Sequence, residues 1–161
     1  MRAAPHSIYA RTVPRSPRWD LPEFGVFHVT GRGVARADIY GDDDDRTFFV
    51  SLLRRAARRH RWQLLAYCLM TNHYHLVIST GVERLSRGMH LLNFRYAQGF
   101  NERYDRVGHL FQNRFDARVV ASDEHLVATC AYVLDNAVRA GACSDRDQWP
   151  WIGGEVLADL R

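Results

Sequence analysis

Residues 62–79 read Trp62-Gln63-Leu64-Leu65-Ala66-Tyr67-Cys68-Leu69-Met70-Thr71-Asn72-His73-Tyr74-His75-Leu76-Val77-Ile78-Ser79. Two runs rich in apolar and aromatic residues flank the polar Thr71-Asn72-His73, the pattern of two strands joined by a tight turn. The spacing predicts strands over 62–70 and 74–79. Alternate residues of a strand share a face, so Tyr74, Leu76 and Ile78 point one way and the two imidazoles of His73 and His75 the other.

The surrounding elements follow from the same periodicities. Upstream, Phe24-Gly25-Val26-Phe27-His28-Val29-Thr30 is a β-rich run closed by Gly31-Arg32-Gly33. Gly41 and four aspartates, Asp42 to Asp45, precede a helical stretch to about Arg61 in which Phe48, Phe49, Leu52, Leu53 and Ala56 recur at helical spacing. The aspartates suit N-capping and the positive end of the helix dipole; metal binding is the alternative. Downstream, Leu85, Met89, Leu92, Tyr96 and Phe100 form the apolar stripe of a helix over 85–104. A segment at 109–120 carries Phe111, Phe115 and Val119, and Ser122-Asp123-Glu124 opens a last helix expected to reach about Arg139 and stop at Gly141. Trp149-Pro150-Trp151 is expected to pack back as an aromatic latch. This order suits one α+β domain, a mainly antiparallel sheet with helices packed on it. Its expected extent is residues 23–152, after a basic Pro-rich arm at 1–22 and before a tail at 153–161.

Composition narrows the class. The chain has 161 residues, 22 basic and 18 acidic, for a net charge of +4. Every basic residue is arginine. Coding bias accounts for a total absence of lysine, while arginine also binds phosphate as a planar bidentate fork. With 47% hydrophobic and 25% charged residues the chain is globular, neither disordered nor fibrous. No apolar run approaches a membrane span, and three cysteines without a CxxC pattern read as buried thiols of a reducing cytoplasm.

Two neutral imidazoles at i and i+2 form half a metal site, although paired histidines on a half-buried strand are also often structural. The last helix adds a second chemical face. At 100° per residue, Leu126, Cys130, Val133 and Ala137 make its core stripe. Tyr132, Asn136 and Arg139 fall on a separate polar stripe, which unaided is equally an ordinary solvated face.

Leu69-Met70-Thr71-Asn72-His73-Tyr74-His75-Leu76-Val77-Ile78 resembles the HUH motif of single-tyrosine transposases, the insertion-sequence enzymes and their relatives associated with repetitive extragenic palindromes. The resemblance extends through Phe27 to Gly33, Tyr96 to Asn101, Gly108 to Phe115, Tyr132 to Gly141 and Trp149-Pro150-Trp151, covering roughly residues 24–151. It implies a ferredoxin-like or RRM-like HUH endonuclease fold. It further implies His73, His75 and Asn136 as ligands of Mg²⁺ or Mn²⁺, and Tyr132 as the nucleophile. The implied reaction cuts and rejoins single-stranded or hairpin DNA through a 5′-phosphotyrosine, in a cytoplasmic, nucleoid-associated setting, as a homodimer or a monomer. One departure stands out: relatives usually carry Asn-Pro where this chain has Asn136-Ala137, which leaves the helix free to continue.

Arg139, Arg114, Arg32, Arg54 and Arg58 are the candidate DNA contacts. The cluster at Arg54-Arg55…Arg58-Arg59-His60-Arg61 serves equally well as favourable charge at a helix C-terminus. Tyr96, Phe100 and Phe111 suit the core better than base stacking. Two other classes remain compatible with the sequence: a non-catalytic DNA-binding regulator of the same fold, and an unrelated metallohydrolase.

Overall fold

The computed structural model describes residues 21–159, so most of the N-terminal arm lies outside the described residues. The elements run β1 (Phe24–Arg32), α1 (Asp43–His60), β2 (Gln63–Leu69), β3 (His73–Gly81), α2 (Val82–Arg103) and β4 (Asp116–Val120). They continue with α3 (Asp123–Leu134), α4 (Asn136–Arg139), β5 (Ile152–Gly153) and α5 (Glu155–Asp159). The strands form one sheet in the order β4-β1-β3-β2-β5, and every pairing is antiparallel. The first six elements are a βαββαβ unit of ferredoxin-like order, so the expected α+β class holds.

Alternation along the strands builds two separate cores. Phe27 and Val29 of β1 join Tyr74, Leu76 and Ile78 of β3 beneath α1 and α2, which contribute Phe49, Leu53, Leu85, Met89, Leu92 and Tyr96. On the other face, Ala66 and Cys68 of β2 and Val77 of β3 meet Cys130, Val133, Leu134 and Ala137, with Leu157 of α5. The strand histidines belong to this second face.

Tyr74 shows how the register is held. Its side chain is fully buried, worth about 1.5–3 kcal/mol on apolar burial alone. It pairs directly with Gly31, where any Cβ would collide with the tyrosine ring. Its hydroxyl donates to Asn93 Oδ1 at 2.9 Å, and Asn93 Nδ2 donates to the Arg114 carbonyl at 2.6 Å. The ring therefore ties β3 to α2 and to the chain entering β4, and directs its neighbours His73 and His75 to the opposite face.

The aspartate run caps α1 as expected: Asp42 accepts from the Asp45 amide at 3.1 Å. Asp45 is itself buried and accepts from the Gly41 amide, the Tyr104 hydroxyl and Arg103, which stitches the start of α1 to the end of α2. Tyr104 is thereby committed to a structural bond. The aromatic latch also forms, with Trp149 Nε1 donating to the Leu69 carbonyl at 3.0 Å and the Leu69 amide to the Trp151 carbonyl at 2.9 Å.

The structure departs from the sequence reading at the last helix. α3 stops at Leu134 and a separate turn, α4, begins at Asn136, with Asp135 between them at φ −90° and ψ 5°. The break occurs although Ala137 would permit a continuous helix. The Asp135 carboxylate is drawn outward to Arg146, whose Nε donates to it at 2.8 Å, while Asn136 and Ala137 turn inward and are buried.

Candidate active site

Two strands and the broken helix build the candidate site on the face of the sheet opposite α1 and α2. His73 and His75 stand on β3 with ring centroids 5.0 Å apart. The Tyr132 ring, on α3, meets His75 edge-on at 5.7 Å. The Arg139 guanidinium lies 5.3 Å from the centre of the Tyr132 ring, at cation–π distance. Asn136 is buried and lies beside His73, where its side chain favours the protonated imidazole. The polar stripe Tyr132, Asn136, Arg139 thus does face the paired histidines, because the core stripe Cys130, Val133 and Ala137 docks α3 and α4 on the same sheet face.

Each imidazole is oriented from behind. The Asn72 amide donates through Nδ2 to the Arg36 carbonyl at 3.0 Å, which leaves its Oδ1 to accept from His73 Nδ1 at 2.7 Å. A neutral His73 protonated on Nδ1 keeps the Nε2 lone pair free for a ligand. His75 Nδ1 is 2.9 Å from Nε2 of His28, a β1 residue whose ring stacks on His75 at 5.2 Å and meets Tyr132 edge-on at 6.1 Å. His28 went unassigned in the sequence because it lies 47 residues from His75. Its position on β1 at i−2 from Thr30, the residue paired with His75, was the available signal.

Electrostatics keep these rings neutral. Burial pushes His73 down to about 4, with the Arg32 charge acting in the same direction and Asn136 against it. Burial likewise lowers His28 to about 4, assisted by Arg118 across the strand pair. His75 is held well below its ordinary value, again first by burial and then by His28, His73 and Arg32. At neutral pH the site therefore presents lone pairs, as metal ligation demands.

Among the described residues no group of three or more His, Cys, Asp and Glu side chains is placed to hold a metal. The candidate donors, His73, His75 and Asn136, are two imidazoles and one amide. Such a partial set of nitrogen and oxygen donors fits a divalent ion that takes further ligands from water or substrate.

The candidate arginines separate by location. Arg32 pairs directly with His73 across β1 and β3, so both project from the same face. Arg139 adjoins Tyr132. Arg114 lies in the exposed chain just before β4. Arg54 and Arg58 belong to α1, which packs on the other face of the sheet, so the structure does not bring them to His73.

A family model described as "Transposase IS200 like" matches residues 26–136. The chain belongs to the IS200-like transposase family. That span includes most of β1, the histidine pair, Tyr132 and Asn136. No curated protein sequence matches the chain. Among solved structures, "Structure of the REP associates tyrosine transposase bound to a REP hairpin" is similar, with a TM-score of 0.61 and 14% identity. The match covers 91% of this chain and 81% of that one, and it supports the tyrosine-transposase HUH fold. No helix among the described residues is long and apolar enough to cross a membrane.

Proposed function

We propose that this transposase nicks and rejoins single-stranded DNA through a covalent bond to Tyr132, with a divalent ion held by His73, His75 and Asn136. The observation that carries this reading is the convergence of Tyr132 with two neutral, back-oriented imidazoles and Arg139 on one face of the sheet. Bound Mg²⁺ or Mn²⁺ would polarise the scissile phosphate and offset charge developing at phosphorus.

The chain's own residues supply the remainder. The Tyr132 hydroxyl oxygen attacks phosphorus and its proton passes to solvent, the bond to the 3′ oxygen breaks, and the released 3′ oxygen takes up a proton from solvent. The products are a 5′-phosphotyrosine and a 3′-hydroxyl. The reverse attack by a 3′-hydroxyl restores a phosphodiester without ATP, because the covalent intermediate conserves the bond. Arg139, packed over the phenol ring, and Arg32, opposite His73, are positioned to meet the phosphate oxygens. The similar solved structure is of a protein bound to a REP hairpin, which makes hairpin-forming DNA the substrate to try first.

The test is incubation of the protein with labelled single-stranded hairpin DNA from the flanks of its gene, with Mg²⁺, Mn²⁺ or EDTA. A denaturation-resistant adduct is expected with either ion, and is expected to vanish with EDTA and in Tyr132→Phe. Adduct formation by Tyr132→Phe at the wild-type level would exclude the mechanism.

A further inference from the structure

The chain leaves β1 through a turn that its residues disfavour. Ala35 has φ 52° and ψ 26° and Arg36 has φ 61°, both in the left-handed region, and the Ala37 amide donates to the Val34 carbonyl at 2.9 Å. This is the geometry of a type I′ turn, whose two central positions favour Asn and Gly because a Cβ there crowds the backbone. Alanine and arginine hold it only because the flanks are fixed. Before the turn, the Gly33 amide donates to the Asn72 carbonyl at 2.9 Å and the Val34 amide to the Leu110 carbonyl at 3.0 Å. After it, Ile39 is fully buried and its amide donates to the Thr71 carbonyl at 3.1 Å. A Cβ at Gly33 would strike the Ala37 carbonyl, so the turn closes directly over the residues it starts from.

The strained turn delivers one group to the candidate site, the Arg36 carbonyl, which accepts from Asn72 Nδ2 at 3.0 Å. A carbonyl oxygen carries no proton and only accepts. The Asn72 amide therefore has one stable orientation, because flipping it would set Oδ1 against the Arg36 oxygen. In that orientation Oδ1 accepts from His73 Nδ1 at 2.7 Å, so the imidazole proton lies on Nδ1 and the Nε2 lone pair is free. The direction of the whole series of bonds, from carbonyl to amide to imidazole, is set at its backbone end. The neighbouring pair lacks such an anchor: His75 Nδ1 and His28 Nε2, 2.9 Å apart, can hold the shared proton on either ring.

We propose that Arg36 is a positioning residue, whose left-handed backbone holds its carbonyl on Asn72 and so fixes the His73 tautomer before any ion binds. This role presupposes His73 as a ligand of the divalent ion, the reading proposed above. It gives the strain at Ala35 and Arg36 a use. A negative φ at residue 36 would redirect the carbonyl away from Asn72, and the freed amide could then donate from Nδ2 to His73 Nδ1. The imidazole proton would sit on Nε2, the nitrogen an ion needs. The Arg36 side chain takes no part in these bonds, so the effect belongs to the backbone conformation and not to the guanidinium charge.

The experiment records ¹⁵N–¹H spectra of the histidine rings in the metal-free full chain at neutral pH, and Mn²⁺ affinity by calorimetry. The wild type should show His73 protonated on Nδ1 alone. Asn72→Ala, and Arg36→Pro with its φ fixed near about −65°, should release that proton to Nε2 and weaken Mn²⁺ binding about 10–100-fold. Ala35→Asn combined with Arg36→Gly, the residues a type I′ turn favours, should raise the thermal midpoint and leave both tautomer and affinity unchanged. This double variant removes the guanidinium while keeping the turn, so an affinity loss in it equal to that of Arg36→Pro would assign the effect to the side chain and overturn the proposal. A midpoint lowered by the double variant would overturn it too, as would a His73 proton that stays on Nδ1 in Asn72→Ala. The double variant and Asn72→Ala decide the matter even where Arg36→Pro does not fold. An unchanged tautomer in Asn72→Ala beside an intact Tyr132 adduct would strike the role of the turn and leave the strand-transfer reading standing. The expected tautomer shifts in a protein that forms no adduct would sink that reading and keep the turn's control of His73.

Discussion

His75 has two ring nitrogens, and only one hydrogen-bond arrangement leaves it useful. If His75 Nδ1 donates its proton to His28 Nε2, 2.9 Å away, the His75 Nε2 lone pair faces outward. With the proton reversed, His75 would carry it on Nε2 and could not ligate. Under the proposed metal-dependent reading, His28 would decide whether the second imidazole can serve as a ligand, as Asn72 would for the first. Outer partners of this kind change metal affinity by about 10–100-fold when removed. His28→Ala should weaken Mn²⁺ binding in calorimetry by that factor. Thermal unfolding of the metal-free protein measures separately the packing lost with the ring, which stacks on His75 and meets Tyr132. Unchanged Mn²⁺ affinity would mean that His28 merely packs against His75.

At the scale of elements, the interruption between α3 and α4 is the feature that aims Asn136. The break places Ala137 where the resemblance leads one to expect proline, in the first turn of a new helix rather than inside a continuous one. Ala137 is the second residue of α4, and proline is tolerated in the first turn of a helix, while it costs about 3 kcal/mol or more in an interior. Ala137→Pro should accordingly lower unfolding stability by less than about 1 kcal/mol. Ala131→Pro, exposed but inside α3, should cost the full interior penalty. Similar urea midpoints for the two would show that α3 and α4 behave as one helix. The break was not readable from 100° periodicity, because it depends on Arg146 reaching Asp135 from a later turn. The strands and long helices were readable, since alternation at 24–32 and 73–81 and the stripe from Leu85 to Phe100 are local signals. β4 was less so: within 109–120 only Asp116–Val120 joins the sheet, and the preceding residues are set by pairing just beyond β1. β5 and α5 carry too few residues to announce themselves, and they form by docking on β2.

For the molecule as a whole, the two-faced sheet turns an undifferentiated arginine content into a positional prediction. The sequence marks the Tyr132, Asn136 and Arg139 stripe and the His73, His75 pair separately; only strand register and docking of α3 put them together. The same docking separates the arginines. Arg32 and Arg139 share the face of the histidines, whereas Arg54 and Arg58 sit on α1, behind the sheet, among residues that also cover Tyr67 near β5. Single-stranded DNA contacted at one phosphate contributes about 0.7 to the slope of log affinity against log salt. Arg32→Ala should reduce that slope by about this amount and slow adduct formation, because its phosphate contact adjoins the reacting centre. Arg139→Lys, which keeps the charge but loses the planar fork, should slow the adduct while leaving the slope nearly unchanged. The double variant Arg54→Ala and Arg58→Ala should leave the adduct rate alone. A fall in slope of about 1.4 in that double variant, without a change in rate, would show that the strand continues round the β5 edge onto α1. An adduct rate reduced as much as by Arg32→Ala would contradict the separation of the two faces altogether.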